Sequence, residues 1–479
     1  CIRDSCSSWN RALIAMLERP RSRLRFLSYV LVLLCLLLVG RLVHVQIALH
    51  RDLSERGNTD RYVEIDLEQT RGRVLDRDGW LLASNVAKFD VSATPDFISD
   101  SSKVVSSLVS RLGSHLSMTS EELSKTLASD KKWVSIARGV PQEIGDRLSE
   151  DWIPGVDVKP HWRRTYPEGR LAAHLLGFVN AEGIGFYGVE GQYDALLKGL
   201  SGIQAFQQDP WGKMIPLESN DEQSPRSGAD LVLTVDRTVQ ALVEAELDRA
   251  IEETGAQSGV VIVMHPRTGA ILAMTAKPDY DPNEYGDVID QRWFVNPAIS
   301  EQYEPGSVFK VLTVAAALES GLVSPETTFY DEGYIEVGGQ LIHNASRRAY
   351  GEVTLTEVLI RSLNVEIAKI STMMGPETFY QGIRAFGIGQ RTKVDLPDEI
   401  GGNLREPGHW QWHESDLATN AFGQGVAVTP LQMITAVAAI ANDGVLMQPY
   451  VVAEKRYPDG TVERAQPVQN GRAMSHETA

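Results

Sequence analysis

Cysteine is nearly absent from this chain. Its 479 residues include three, Cys1, Cys6 and Cys35, and nothing after Cys35 carries a thiol. A disulfide framework and a thiolate metal site are thereby excluded from the main body. Positive charge is also scarce: 46 Lys and Arg against 63 Asp and Glu leave a formal net charge of −17. That balance argues against nucleic acid as the main partner. Long hydrophobic runs are missing beyond the N-terminal region, so the sequence offers one membrane span at most. No internal repeat is present. The Gly-rich stretch 177–191, GFVNAEGIGFYGVEG, lacks the strand–helix context of a phosphate loop and reads as turns.

What is present is ordinary globular composition, 43% hydrophobic and 23% charged, with no need for disorder. The length exceeds one ordinary core, and two or three domains are expected. Residues 26–40 read FLSYVLVLLCLLLVG without a charge, and Leu42, Val43, Val45, Ile47 and Leu49 prolong the pattern past Arg41. Arg41 can snorkel to the interface. Extended to 26–47, the segment reaches the roughly 20 residues that cross a bilayer. Cys35 inside it is most simply a small lipid-facing or packed residue. Arg19, Arg21, Arg23 and Arg25 precede it, which places residues 1–25 in the cytoplasm and the remainder outside. The chain continues GRLVHVQIALHRDL with no small-x-small cleavage site, so an uncleaved anchor is expected rather than a signal peptide. ATP and nicotinamide cofactors are not expected on the outer side.

Beyond the anchor, residues 71–83 read RGRVLDRDGWLLA, with apolar runs flanking Asp78-Gly79, a hairpin signal. Spaced leucines between about 100 and 150 predict surface helices. Residues 218–230, ESNDEQSPRSGAD, read as a polar linker. Leu231–Val235 then reads as a strand, and Asp236 as the cap of a helix ending at Gly255. GVVIVM and AILAM flank His265–Gly269 as a second hairpin, and Pro458-Asp459-Gly460 marks another. Thr429 and Pro430 open a buried helix that is expected to end at Gly444. The Gly423-Gln424-Gly425 block beside it reads as structural.

The most informative stretch is 301–321, EQYEPGSVFKVLTVAAALESG. After Pro305-Gly306 it reads as a helix apolar on nearly every side, and such a helix is buried. It holds one cation, Lys310, three residues after Ser307, so both side chains share a face. Burial lowers the basicity of an ammonium. A lysine so tuned can take a proton from a serine hydroxyl near neutral pH. The alternative is that Lys310 snorkels out and Ser307 only caps the helix. Ser362-Leu363-Asn364 is the second candidate, near the end of a helix that Thr354 and Glu357 open as a capping box. A serine there can relay a proton and an asparagine can hold an amide; the alternative is a polar helix junction.

S-x-x-K followed by S-x-N resembles the signature of penicillin-recognising serine transpeptidases and β-lactamases. The flanking RGRVLDRDGWLLA, RRTYPEGRLAAHLLGFVNAEGIGFYGVEG, HPRTGAILAM, EPGSVFK, SLN, FGIG and GQGVAVTPLQM occur in the order of class B penicillin-binding proteins. The likeness runs from the anchor to about residue 450. It implies an α+β multidomain protein with one transmembrane helix at 26–47 and an elongated α+β pedestal of dimerisation type at 48–217. A linker at 218–230 would lead to a serine transpeptidase domain, an antiparallel sheet flanked by helices, at 231–479. It further implies that Ser307 attacks the penultimate D-alanine carbonyl of a peptidoglycan stem peptide and later passes the acyl group to a neighbouring amine. Lys310 would be the general base, and Ser362 and Asn364 would shuttle the proton and hold the peptide. β-Lactams would be covalent inhibitors, a membrane glycosyltransferase and other cell-wall or division proteins would be partners, and no metal or organic cofactor is implied. The Glu304–Ser307 and 163–191 segments look more like the division or sporulation type than the elongation type.

The family also has a Lys-Thr/Ser-Gly triplet well after the S-x-N, and no such triplet follows Asn364. Arg267-Thr268-Gly269 precedes Ser307 and falls in a hairpin turn, so it is not that element. Together with a start at Cys1, the missing triplet leads us to expect a fragment, C-terminally incomplete, with impaired activity as it stands. Two other readings share the first motifs: a β-lactam sensor or serine β-lactamase, which the pedestal-like region argues against, and a non-catalytic scaffold of the wall-building machinery.

Overall fold

A computed structural model describes residues 5–51, 62–67, 69–98, 100–151, 153–200, 202–208, 214–215 and 226–479. The start of the expected tail, 1–4, and positions 218–225 of the expected linker lie outside the described residues. The described part falls into two compact units.

The first unit holds the N-terminal helix Ser5–Val43, which runs on through a π turn at His44–Ala48. Its stretch Leu24–Ile47 is long and apolar enough to cross a membrane. The leucines and valines from Leu24 to Val43 are exposed all round the helix, and Cys35 is free and exposed among them. Such a surface is poorly tolerated in water and matches a lipid environment. The same unit has a three-stranded antiparallel sheet in which Tyr62–Leu67 pairs with Gly202–Gln208, and the latter with Met214–Ile215.

The second unit begins with β1 (Val74–Leu75) and β2 (Leu81–Ala93), joined by the Asp78-Gly79 turn. Asp76 Oδ1 accepts the N–H groups of Asp78 and Trp80 there, and Gly79 takes φ +91°. Helices α2 (Ser101–Leu112) and α3 (Ser120–Leu127) follow, then β3 (Val134–Pro141), α4 (Gln142–Glu150) and β4 (Val156–Thr165). β3 and β4 both pair antiparallel with the long β2. Leucines at 108, 112, 123, 127 and 148 seal these helices onto Val91, Ile136 and Val140.

The chain then reaches β5 (Asp230–Leu233), α5 (Arg237–Thr254) and the hairpin β6 (Gly259–Met264) and β7 (Ile271–Lys277). α5 starts and stops where the sequence says: the Asp236 carboxylate accepts the N–H groups of Thr238 and Val239, and Gly255 is left-handed at the end. Next come α6 (Lys310–Glu319), β8 (Thr328–Asp331), β9 (Tyr334–Val337), β10 (Gln340–His343), β11 (Gly351–Thr354), α7 (Leu355–Ile360) and α8 (Asn364–Ala385). The C-terminal part supplies α9 (Glu414–Ala421), α10 (Pro430–Ile440), β12 (Val445–Met447), β13 (Val452–Arg456), β14 (Val462–Arg464) and β15 (Gln469–Arg472). α10 opens with the Thr429 cap as expected but stops at Ile440; Gly444, at φ +79°, closes the turn that follows rather than the helix.

The largest sheet runs in the order β14–β13–β5–β1–β2–β3, with β4 also on β2. Its strands from the expected transpeptidase part, β14, β13 and β5, pair antiparallel, whereas Leu231 and Val232 of β5 pair in parallel with Val74 and Leu75 of β1, so the sheet as a whole is mixed. The pedestal-like and transpeptidase-like parts therefore share one sheet. At the described end of the expected linker, Arg226 bridges to Leu200, and the N–H groups of Gly228 and Ala229 donate to Thr70 O and Leu196 O. A separate helical core joins Phe309, Leu312, Ala316, Ile367, Ile370, Phe379 and Ala436, and it fixes α6 against α8 and α10.

Candidate active site

Pro305 sets φ to −67°, and Gly306 turns the chain with φ +59° before the helix begins. The first turn, Gly306–Phe309, is 3₁₀ rather than α-helical, and the N–H of Lys310 donates to the carbonyl of Ser307. Side chains three apart eclipse in a 3₁₀ turn, so this departure from the expected α-helix lines up Ser307 with Lys310 more directly. Ser307 is exposed, whereas Lys310 retains only 1% of its surface. Behind the turn, Gly306 N–H donates to Gly423 O at 3.0 Å, and the N–H of Gly425 donates to the Glu304 carboxylate at 2.8 Å. A Cβ on Gly423 would meet Gly306 O at 2.2 Å. The GQG block thus backs the Gly306–Ser307 turn, in keeping with its reading as structural.

Lys310 does not snorkel. Its Nζ donates to Ser362 O at 2.7 Å, Ser362 Oγ at 2.9 Å and Asn364 Oδ1 at 2.7 Å. Burial pulls its pKa down from 10.5 to about 8; the three oxygens, which favour the ammonium, oppose any further fall. Among the described residues no carboxylate pairs with it. The nearby charges are engaged elsewhere, Glu366 with Lys369 and Arg361 with Glu357.

Ser362 stands at the junction of α7 and α8. The N–H groups of Ser362 and Leu363 donate to Leu359 O and Val358 O, which closes a Schellman stop on α7. Its left-handed residue, commonly glycine, is here Ser362 at φ +54°. That conformation turns both oxygens of Ser362 toward Lys310. The expected capping box is formed reciprocally by Thr354 and Glu357 at the other end of α7. Asn364 opens α8, and its Nδ2 donates to His343 O at 3.2 Å. The four residues singled out from sequence thus lie on three adjoining elements, with Lys310 touching the side chains of Ser362 and Asn364. His343, Asn344 and Asp331 were missed, because isolated polar residues in a hairpin leave no periodic signal. Arg267–Gly269 lies in the β6–β7 turn, away from this role, as expected.

An exposed serine thus stands one turn before a buried lysine, on which a second serine and an amide close. The chain matches the penicillin-binding protein transpeptidase domain over residues 259–479 and the penicillin-binding protein dimerisation domain over residues 66–233. It is 34% identical to stage V sporulation protein D of Bacillus subtilis, over 96% of this chain and 71% of that one. It is 30% identical to the peptidoglycan D,D-transpeptidase FtsI of Escherichia coli, over 93% of this chain and 77% of the other. Penicillin-binding protein 3 of Mycobacterium tuberculosis, solved with aztreonam, superposes with a TM-score of 0.65 at 27% identity, covering 86% of this chain and 73% of that one. The chain belongs to the class B penicillin-binding proteins, peptidoglycan D,D-transpeptidases that join a dimerisation domain to a transpeptidase domain.

Proposed function

We propose that Ser307 is the nucleophile and Lys310 the general base of a peptidoglycan-cross-linking acyl transfer. The observation that carries this reading is the buried Lys310, held among three oxygens one turn after an exposed serine. Neutral Lys310 takes the hydroxyl proton as Ser307 Oγ bonds to the penultimate D-alanine carbonyl. The backbone N–H of Ser307, at the start of the helical turn, supplies one donor to the resulting tetrahedral oxyanion. Its collapse breaks the peptide C–N bond, and D-alanine leaves with a proton. A neighbouring amine then attacks the ester and frees Ser307. Of Lys310's three partners, only the Ser362 hydroxyl can also donate. When Lys310 is neutral its lone pair needs a donor, so Ser362 is the residue fit to pass the proton on. Asn364 holds the ammonium by its oxygen and supports the bound peptide.

In this reading residues 48–217 form the pedestal, 218–230 the linker and 231–479 the transpeptidase domain. The arginines before the apolar helix put the N-terminus in the cytoplasm and the site outside. β-Lactams acylate Ser307, and a membrane glycosyltransferase and division or sporulation proteins assemble with the pedestal. The sporulation name of the Bacillus subtilis relative and the 163–191 segment support the division or sporulation setting. Incubating the purified chain with a fluorescent penicillin tests the reading. Covalent label on the wild type and none on Ser307→Ala is the expected result; label that survives in the alanine variant overturns it.

A further inference from the structure

The proton-transfer cluster is gripped from a side that the chemistry above does not use. Asp331, the last residue of β8, and Asn344, just past β10, are both buried, at 0% and 2% exposure. Asn344 Nδ2 donates to the two carboxylate oxygens of Asp331 at 3.0 and 2.9 Å. The same carboxylate accepts the N–H of Gly333 at 3.2 Å and of Tyr350 at 3.0 Å. No cation pairs with it among the described residues. A fully buried carboxylate without a cation is expensive, and a short hairpin has cheaper ways to close.

The other end of Asn344 shows what the pair holds. Asn344 Oδ1 accepts the N–H of Val365, in the first turn of α8, at 3.1 Å. The adjoining His343 carbonyl accepts Asn364 Nδ2 at 3.2 Å. An asparagine amide has two ends of nearly equal shape and opposite hydrogen-bonding character. With its nitrogen committed to His343 O, Asn364 turns its oxygen to Lys310. Reversed, it would aim an NH₂ at an ammonium.

We propose that the Asp331–Asn344 pair is a positioning element that fixes which end of the Asn364 amide faces Lys310. This rests on the reading of Lys310 as general base. The pair acts through His343 O and the Val365 N–H, and neither residue meets the substrate. Loss of the latch frees the amide, removes an oxygen that favours the ammonium, and lowers the Lys310 pKa further.

The test uses the full chain with Asn344→Ala and the isosteric Asp331→Asn. Lys310 is followed directly by the carbon-13 shift of its ε-carbon against pH, assigned with Lys310→Arg. Acylation by fluorescent penicillin is measured in parallel. In both variants Lys310 is expected to titrate below the wild type. Acylation should slow on the order of a hundredfold, as for ångström-scale misplacement. A folded variant whose Lys310 titration is unmoved overturns the proposal, whatever its melting temperature. So does the unfolding of both variants, which would make the pair a folding element only. A wild-type Lys310 that titrates like a free lysine would sink the general-base reading, while the difference between wild type and variants would still decide the latch.

Discussion

Ser362 occupies the stop position of α7, where a left-handed residue other than glycine costs about 1 kcal/mol. Its two oxygens on Lys310 account for the choice. Ser362→Gly should therefore change stability by no more than about 1 kcal/mol in urea unfolding, because relief of the left-handed strain offsets the hydrogen bond lost by buried Lys310. The same variant should slow penicillin acylation on the order of a hundredfold, by loss of the hydroxyl relay. A variant that is equally active would remove Ser362 from the proton path. Lys310 gives a second expectation at this scale. In the proposed mechanism the reactive form is the neutral amine, so acylation should rise tenfold per pH unit below the Lys310 pKa of about 8 and level off above it. At pH 7.5 about a quarter of such a group is neutral, against about a thousandth of an unshifted lysine. A rate profile flat from pH 6 to 9 would contradict a lysine base. Lys310 was legible in the sequence because it is the one cation in an apolar helix. The left-handed Ser362 was not, since a serine after a helix says nothing of its own φ.

Helix starts and hairpins carry most of what the sequence made visible. Asp236, Thr354 with Glu357, and Thr429 with Pro430 each cap the helix they were assigned. These signals are local, a side-chain oxygen three residues from the N–H it satisfies, so they survive without tertiary information. The 3₁₀ turn at Gly306–Phe309 was not visible, because it depends on Gly423, more than a hundred residues on. Gly423→Ala adds a Cβ 2.2 Å from Gly306 O to a backbone already at φ +79°. It should cost about 1–3 kcal/mol and slow acylation by displacing Ser307. Gly460→Ala is the control: its φ is +87° but nothing lies within 4 Å of the added carbon, so it should lose stability slightly and leave acylation alone. Equal acylation rates in the two variants would mean that the GQG block does not set the Ser307 turn.

At the scale of the whole molecule, a buried ion network ties distant segments together. Arg71 Nε and Arg164 Nε each bond the Glu190 carboxylate, at 2.7 and 2.6 Å, and Arg71 also reaches Asp194 at 2.7 Å. Glu190 is 0% exposed. Glu190→Ala should cost about 3–5 kcal/mol in chemical denaturation, since it leaves buried Arg164 without a carboxylate and Arg71 with Asp194 alone, while Glu190→Gln should recover part of it. A loss under 1 kcal/mol would show the site to be solvated after all. Neither this network nor the parallel pairing of β1 with β5 was readable from sequence. Polar partners 119 and 26 residues apart impose no period, and hydrophobic alternation within a strand does not name its neighbour.

That parallel pair sets the order in which the molecule can be made. Val74 and Leu75 wait for Leu231 and Val232, and β5 in turn waits for Val452–Arg456 on its other edge. During synthesis, then, the first strand of the sheet emerges some hundreds of residues before the last. Topologies dominated by such distant contacts fold slowly and leave strand edges open meanwhile. The sheet that unites the two parts of the protein is the last thing to close, and until it does, each half carries an edge on which a second nascent copy can pair.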